Sequence, residues 1–258
     1  MNKGNSKPLL SILMPVRNET VNVSIMVKIL NAVFECDDEI LIVCDNDQDL
    51  GVPVVRELQK TLPNLKLVIN KYGRGIPNAI KAGVEASCGK YILLFAVDEI
   101  GPVLAIREMI ELMDDGCGLV SATRYAYGGR RLGGSILGHL LSRTANTMLS
   151  MVSGNLLTDC STGIKMFTKD VYSRFNLEAR PVGWAVTFEF ALKVQIAGIK
   201  TGEVPVISID RLYGGRSTFS ALPWIKEYLR WFTYAFKNIA VLRRRDKPLV
   251  RIPYSTVK

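Results

Sequence analysis

Short apolar runs alternate with helical patterns over the first hundred residues of the chain. Four of these runs have the length and continuous hydrophobicity of buried strands. They lie at residues 8–16, 39–44, 65–69 and 91–97. Helical patterns follow the first run, to about Phe34, and the third run, near residues 77–86. Strands that alternate with helices at this rhythm predict the α/β class, with a doubly wound, mostly parallel sheet flanked by helices.

Residues 221–245 have the pattern of one amphipathic helix. Its apolar stripe consists of Ile225, Leu229, Phe232, Phe236 and Ile239. Its other aromatic residues are Trp224, Tyr228, Trp231 and Tyr234. The stripe has the period of a helical face, but charged residues interrupt it and exclude a spanning helix. Two interpretations stay open: an interfacial helix whose basic tail, residues 243–245, binds an anionic membrane, or a helix packed on the core. We predict one domain over residues 1–220, followed by this helix and tail over 221–258.

Composition and charge narrow the class of protein. The 258 residues carry a net charge of +9. Residues 1–100 hold 11 Lys and Arg against 12 Asp and Glu, whereas residues 101–258 hold 22 against 12. An anionic membrane surface or a phosphorylated substrate fits this basic second part. Nucleic acid is not expected, because no recognition module is visible and the aromatic residues follow a helix face.

The cysteines and the hydropathy profile indicate the compartment. The five cysteines form no CxxC pair and have no metal-ligand spacing, which is typical of reduced thiols. The N-terminal residues lack the apolar region of a signal peptide, and no run of about 18 uncharged apolar residues is present. We therefore expect a cytosolic protein without a span of its own.

Acidic residues follow two of the predicted strands. Asp98 and Glu99 end the strand at 91–97, where a hard cation such as Mg²⁺ or Mn²⁺ needs only one or two carboxylates if substrate phosphates supply the rest. A helix start is the equal alternative, because Gly and Pro follow. Asp45 and Asp47 follow the strand at 39–44. Their loop lacks the glycine and glutamate of a calcium loop, so we interpret them as acceptors for a base or ribose.

Other motifs concern phosphate. Gly73 and Gly75 resemble part of a dinucleotide fingerprint, but the third glycine is missing, so a nicotinamide enzyme is not expected. Arg124 and Arg143 flank a loop at residues 128–134 that is rich in glycine and arginine. Arginine forks and exposed backbone donors bind phosphate, so this part of the chain is a candidate phosphate site.

Taken in order, the motifs carry a family resemblance. They lie at residues 11–19, 45–49, 73–83, 91–98, 123–125, 142–146, 159–163, 188–189, 203–205 and 210–217. Their order and spacing over residues 9–220 are similar to those of the inverting, GT-A-fold glycosyltransferases of family 2, and within them to the dolichol-phosphate mannose synthase type. The resemblance implies a GT-A, Rossmann-like fold and a GDP- or UDP-linked sugar donor.

The resemblance also implies roles for individual residues. Pro15, Arg17, Glu19, Asp45, Asp47, Gly73 and Gly75 would contact the nucleotide; Asp98 would hold Mg²⁺ or Mn²⁺; Arg124, Arg143 and Arg216 would face the acceptor phosphate or the leaving diphosphate. The family usually carries Asp-x-Asp at the metal site, but here Ala96 replaces the first acid and leaves Glu99 as the substitute. Members of the family often carry a lysine directly after the serine that is Ser217 in this chain, but here that position is Thr218.

The predicted function is transfer of a hexose, with inversion, to a polyprenyl (dolichyl or undecaprenyl) phosphate at the cytosolic face of a membrane, where a membrane-spanning partner is plausible. A phosphate acceptor is already anionic and needs no strong base. One alternative is transfer to a hydroxyl of a polysaccharide or lipid-linked oligosaccharide, for which Asp159 or Glu189 must take the proton. A second alternative, motivated by Ala96, is a catalytically degenerate GT-A scaffold.

Overall fold

The structure is a computed structural model and describes residues 7–34, 38–133, 136–154, 156–209 and 221–253. The chain divides into two compact units, residues 1–98 and residues 99–258. The predicted boundary at residue 220 ends a segment, 210–220, that lies outside the described residues. The division into a domain over 1–220 and a tail over 221–258 therefore stays a prediction.

Among its described residues, the first unit contains four parallel strands and three helices. Its elements are β1 (Leu10–Val16), α1 (Val21–Val33), β2 (Glu39–Cys44), α2 (Gly51–Gln59), β3 (Leu65–Ile69), α3 (Ile76–Ala86) and β4 (Tyr91–Leu94). The strand order is β4-β1-β2-β3. Strands β1, β2 and β4 are almost wholly buried, which explains their continuous apolar sequence. Helix α3 packs closely on β1 and β2: a side chain at Gly83 would lie 2.4 Å from Leu13 Cδ1.

The register of these strands brings their carboxyl ends to one edge. Val16 pairs with Cys44, and Cys44 pairs with Ile69, so β1, β2 and β3 end level with one another. The loops that begin at Arg17, Asp45 and Asn70 therefore leave the sheet side by side. In open α/β folds this edge is where ligands bind.

The second unit combines a mixed sheet with six helices among its described residues. Its elements are a 3₁₀ turn (Gly101–Ala105), α4 (Ile106–Asp114), β5 (Leu119–Thr123), β6 (Arg130–Leu132), α5 (Ile136–Ser153), β7 (Lys165–Phe167), α6 (Lys169–Ser173), α7 (Ala185–Ile196), β8 (Thr201–Pro205), β9 (Ile207–Ile209), α8 (Ala221–Lys237), α9 (Ile239–Leu242) and β10 (Leu249–Val250). The order is β10-β8-β5-β7, in which β7 alone is antiparallel. The predicted α/β class with a mostly parallel sheet is confirmed.

The glycine- and arginine-rich loop differs from its prediction. Arg130–Leu132 forms the short strand β6, which pairs in parallel with β9. No side chain fits at position 129, because the Cβ atom of a larger residue there would lie 2.3 Å from the Thr123 carbonyl oxygen. Gly129 therefore serves a close backbone approach, and only part of the segment is a loop.

The buried face of α8 also differs from its prediction. Tyr228, Trp231 and Ala235 are buried, whereas Leu229 and Phe236, which belong to the predicted apolar stripe, are 57% and 44% exposed. Tyr228 stacks on Phe188 of α7, with ring centroids 5.6 Å apart. The buried aromatic residues thus pack on the core of the second unit, and the interpretation that placed them at lipid headgroups is wrong.

The arginine cluster at residues 243–245 is partly structural. Arg243 Nε donates to the Val152 carbonyl oxygen at 3.0 Å, and Arg245 Nη2 donates to the Ile196 carbonyl oxygen at 2.6 Å. Val152 and Ile196 lie at the C-terminal ends of α5 and α7, where carbonyl groups lack partners within the helix and a cation is favourable. In the part of the chain that the structure describes, no helix has the length and apolarity needed to cross a bilayer.

Candidate active site

The loop after β2 is tied to the loop after β3. Asp45 Oδ1 accepts hydrogen bonds from Asn70 Nδ2 and from the Gly75 amide, both at 3.2 Å. Asn70 Nδ2 also donates to the Gly73 carbonyl oxygen at 2.6 Å. Gly73 and Gly75 have φ of 88° and 123°, values that favour glycine. The structure therefore brings together the predicted Asp45, Gly73 and Gly75, and it adds Asn70, which sequence reasoning missed.

The loop after β1 is held by Asp49. Asp49 Oδ2 accepts from the Asn18 amide at 2.8 Å, and Asp49 Oδ1 accepts from the Gly51 amide at 2.8 Å. Asn18 has a φ of 55°, which asparagine tolerates better than most residues. Glu19 accepts from Asn22 Nδ2 at 2.7 Å. The polar groups of this loop are thus fixed in place at the ligand-binding edge of the first unit.

The other predicted nucleotide contacts vary in exposure. Pro15, near the end of β1, is half-buried, and Arg17 is exposed. Asp47 is exposed and pairs with Arg56, with 3.1 Å between Oδ1 and Nη2. An exposed pair of this kind contributes little to stability, so Asp47 remains accessible to a ligand.

Asp98 and Glu99 differ in their surroundings. Asp98 follows β4 and is half-buried. Glu99 Oε2 accepts a hydrogen bond from Ser208 Oγ at 2.8 Å. Among the described residues, no group of three or more His, Cys, Asp and Glu side chains is placed to hold a metal ion. A single carboxylate still fits Mg²⁺ or Mn²⁺ if a bound diphosphate supplies further oxygens, since both ions prefer such ligands.

A buried ion pair lies in the second unit, where β5 ends. Arg124 is 8% exposed, and Asp159 is fully buried. Asp159 Oδ2 accepts from Arg124 Nε at 2.7 Å, and Oδ1 accepts from Nη2 at 3.0 Å. Burial alone would lower the pKa of Arg124 and raise that of Asp159, but their mutual attraction outweighs burial, so the Arg124 pKa is raised and the Asp159 pKa is lowered. Both groups are therefore charged at neutral pH.

A hydroxyl and amide network connects this pair to α5. Ser161 Oγ donates to Asp159 Oδ1 at 3.0 Å and lies 2.8 Å from Ser142 Oγ. Asn146 Nδ2 donates to Ser161 Oγ, and Asn146 Oδ1 accepts from the Cys160 amide at 2.9 Å. Ser142 and Asn146 lie one turn apart, so both side chains point from one helix face toward the pair. The motif at residues 142–146 thus positions the turn that carries Asp159.

The predicted arginines differ in accessibility. Arg143 is exposed on α5, beside the buried Ser142. Arg124 directs Nε and Nη2 toward Asp159 and Ser161, and its Nη1 makes no hydrogen bond to any residue in the described ranges. Arg216 lies outside the described residues. The structure therefore leaves the Nη1 edge of Arg124 and the whole Arg143 guanidinium able to bind an anion.

Two buried ionisable groups in this region were missed by sequence reasoning. Lys165 is fully buried on β7 and donates to Ser121 Oγ at 2.9 Å. Burial lowers its pKa to about 8. Glu203 on β8 accepts from the Thr158 amide at 2.6 Å and from Thr158 Oγ1 at 3.0 Å. Burial raises the Glu203 pKa to about 7 despite these donors. Glu203 stands in the motif at residues 203–205, but the sequence analysis predicted no role for it.

Glu189 on α7 has a full set of partners. It is fully buried, and its oxygens accept from the amides of Glu178 and Ala179 at 2.7–2.9 Å. Lys193 Nζ lies 2.6 Å from Glu189 Oε1. With these contacts Glu189 fixes residues 178–179, and each carboxylate oxygen of Glu189 and of Asp159 has at least two polar partners.

The sequence model of glycosyl transferase family 2 matches residues 11–175. The chain therefore belongs to glycosyl transferase family 2. This match covers β1 to α6 and includes Asp98, Arg124 and Asp159. The predicted family is confirmed.

Three curated relatives are similar at low identity. A dolichol-phosphate mannosyltransferase of Pyrococcus furiosus is 24% identical over 229 residues, covering 86% of this chain and 64% of that protein. A dolichol-phosphate mannosyltransferase of Mycosarcoma maydis is 26% identical over 131 residues, covering 48% and 45%. A dolichyl-phosphate β-glucosyltransferase of Dictyostelium discoideum is 26% identical over 213 residues, covering 76% and 65%. The chain thus spans less than two thirds of each of these relatives.

Solved structures share the fold. Glucosyl-3-phosphoglycerate synthase of Mycobacterium tuberculosis, in complex with Mn²⁺, UDP and its product, has a TM-score of 0.61 at 12% identity and covers 94% of this chain and 82% of its own. A mannosyltransferase of Pyrobaculum calidifontis with GDP-mannose and Mn²⁺ has a TM-score of 0.57 at 14% identity, covering 92% and 74%. These similarities confirm the GT-A fold.

Proposed function

We propose that this protein transfers a hexose from a nucleoside-diphosphate sugar to a polyprenyl phosphate, with inversion at the anomeric carbon. The observation that carries the proposal is the buried Arg124–Asp159 pair, which holds a permanent cation at the end of β5 and engages the carboxylate of Asp159, one of the two predicted bases. Three family relatives that act on dolichyl phosphate support the acceptor class.

On the donor side, residues of the first unit bind the nucleotide. The Asp45–Asn70–Gly75 cluster and the Asp49-braced loop after β1 present fixed polar groups at the ligand-binding edge, and Pro15, Arg17, Glu19, Asp47 and Gly73 line the same loops. The base is guanine or uracil, as in the two solved complexes of this fold. Ordered acceptors of this kind distinguish bases by their hydrogen-bonding edges.

Asp98 is the residue that holds Mg²⁺ or Mn²⁺. Two solved neighbours contain Mn²⁺ together with a nucleotide, which supports use of a divalent ion. When bound, such an ion neutralises the negative charge that develops on the leaving diphosphate. We assign the ligand role to Asp98, because the family resemblance places this residue at the metal. Glu99 Oε2 accepts a hydrogen bond from Ser208 Oγ, a contact that holds the segment at Ser208.

On the acceptor side, arginines of the second unit bind the phosphate. Arg124 Nη1 and the exposed Arg143 donate to its oxygens, and Arg216 does the same for the acceptor or the leaving group. Asp159 fixes the Arg124 fork so that little conformational entropy is lost on binding. The acceptor oxygen is already an anion near neutral pH, so its attack on the anomeric carbon requires no proton transfer.

Transfer to a sugar hydroxyl is the competing proposal, and the geometry argues against it. A hydroxyl acceptor requires a base within hydrogen-bonding reach. Asp159 is buried against Arg124, and Glu189 accepts two backbone amides and pairs with Lys193. Neither carboxylate is exposed, which favours the anionic acceptor and assigns both residues a positioning role.

A polyprenyl acceptor places the protein at a membrane surface, and we propose that it acts there as a peripheral protein on the cytosolic face, alone or with a membrane-spanning partner. The excess of basic residues after residue 100 supports this location.

A thermal-melt series with GDP, UDP and CDP, each with and without Mn²⁺, tests the donor site. A ligand at a hundredfold its dissociation constant adds about 2.7 kcal/mol, enough for a rise of several degrees in Tm. We expect a Mn²⁺-dependent rise with one nucleotide in the wild type and none in Asp98→Ala. No rise with any nucleotide would favour the degenerate scaffold instead.

A further inference from the structure

The exposed side of helix α5 is mostly apolar. Ile136 and Met151 are 88% and 78% exposed, and Leu140 and Met148 are also more than half exposed. At about 100° per residue these four side chains fall within an arc of roughly 120°, and the face extends for about 22 Å along the helix. The buried residues Ser142, Asn146, Leu149 and Ser153 occupy the opposite face. Thr144 and Thr147 are exposed within the same arc, so the exposed side of α5 is an apolar stripe with two threonines near its middle.

A second stripe of the same kind lies on α8. Leu222, Leu229 and Phe236 recur every seven residues, and all three are exposed. Helix α8 contacts α5 within the second unit. Large contiguous apolar surface on a folded protein marks an interaction site.

The charges on these helices decide what binds there. Residues 136–154 contain no acidic residue, and residues 221–245 contain one, Glu227. Glu227 is buried and accepts from Trp231 Nε1 at 3.0 Å, so it adds no negative charge to the surface. The exposed charged residues are basic and include Arg143, Lys226 and Lys237. A second copy of this chain would bring cations against cations, whereas an anionic bilayer complements both the charge and the apolar side chains.

We propose that the outward face of α5, defined by Ile136, Leu140, Met148 and Met151, inserts into the headgroup region of an anionic bilayer. Unbranched methionine side chains adapt well to such an irregular environment. Arg143, on the edge of the same face, then lies at the depth of lipid phosphates. The inference deepens the proposed function, on which it rests for its biological role, by naming the surface that presents the protein to a lipid-linked acceptor.

Co-flotation of the full-length chain with phosphatidylcholine vesicles, with and without phosphatidylglycerol, tests the proposal. We expect the wild type to bind the anionic vesicles, and the double variant Leu140→Glu with Met151→Glu to bind them more weakly by about tenfold or more. The matched control is Leu104→Glu, a change of the same kind at an 81% exposed leucine of the 3₁₀ turn, which should bind like the wild type. Thermal melts of all variants check that each is folded.

Three results would overturn the proposal. They are no binding of the wild type to either vesicle, equal binding of wild type and the α5 double variant, or loss of binding only in Leu222→Glu with Leu229→Glu, which would assign the contact to α8.

An activity assay with a short, water-soluble polyprenyl phosphate separates this proposal from the proposed function. The α5 variant should keep wild-type transfer to that acceptor and lose transfer to a vesicle-embedded one. No transfer in any assay, with vesicle binding intact, would refute the function and leave the membrane face standing.

Discussion

Replacement of Asp159 by asparagine should destabilise the protein severely. In the wild type, Asp159 accepts hydrogen bonds from Arg124 Nε, from Arg124 Nη2 and from the Arg124 backbone amide. The change keeps the shape of the side chain but leaves the Arg124 guanidinium buried without its counter-charge. Breaking one side of a buried pair costs about 3–5 kcal/mol. At about 2–4 °C per kcal/mol for a chain of this size, Tm should fall by roughly 6–20 °C.

The assay is thermal and denaturant unfolding of Asp159→Asn beside Asp170→Asn. Asp170 also pairs with an arginine, Arg174, but both side chains are more than half exposed, so its loss should cost no more than about 1 kcal/mol. Equal shifts in the two variants would refute the reasoning. The double variant Arg124→Met with Asp159→Leu should recover most of the stability and remain inactive, because it replaces the whole pair and removes the phosphate-binding cation.

This result bears on how the acceptor is identified. Loss of activity in Asp159→Asn alone does not identify a base, since unfolding produces the same loss. The pH dependence gives a second check on the pair. The folded-state pKa of Asp159 lies below the unfolded value of 3.8, so its stabilisation is present above that pH and is lost as the pH falls through the folded value.

Three further predictions concern other buried or close contacts. The Glu203 pKa rises from 4.5 in the unfolded chain to about 7 in the folded protein, so the stabilisation by Glu203 is full below pH 4.5 and is lost as the pH rises through 7. Denaturant melts across this pH range should show a decline in unfolding free energy in the wild type that Glu203→Gln lacks. In Gly101→Ala the new Cβ would lie 1.7 Å from the Ile207 carbonyl oxygen, so unfolding free energy should fall by about 2 kcal/mol or more, whereas Leu104→Ala in the same turn should change it by less than about 0.5 kcal/mol. Glu99→Gln should retain the Mn²⁺-dependent nucleotide shift that Asp98→Ala loses; loss in both variants would restore Glu99 as a metal ligand.

The sequence pattern predicted the parallel strands well because their signal is local. Each inner strand of the first unit is buried on both faces, so β2 is a continuous apolar run, and the predicted bounds of β2 and β3 match the structure. Asp45, Asp47 and Asp98 could be predicted to lie at one edge of the sheet, because parallel strands end together. The partnership of Asp45 with Asn70 was not predictable, because it depends on the conformation of the loop after β3.

The second unit shows where sequence reasoning fails. Periodicity found α8 but predicted its buried side only in part: Phe232 of the stripe packs on Phe188 of α7, as Tyr228 does, whereas Leu229 and Phe236 are exposed. Apolar and aromatic residues lie on both sides of the helix, so the sequence alone does not show which side α7 covers. Arg124 and Asp159 were both identified, yet their pairing joins residues 35 positions apart and was not predicted. This pairing is the reason why we propose a positioning role for Asp159 instead of a role as base. The burial of Lys165 likewise depends on the fold, since lysine is rarely buried.

The central claim is tested most directly by incubating the purified chain and Mn²⁺ with radiolabelled GDP-mannose or UDP-glucose and a short-chain polyprenyl phosphate, and by measuring label in the organic extract and the anomeric configuration of the product. The proposed function predicts a β-linked sugar phosphate from the α-linked donor, one nucleoside diphosphate released per product, and no product with Asp98→Ala. Transfer only to a sugar hydroxyl, or nucleotide binding without turnover of either donor, would contradict it.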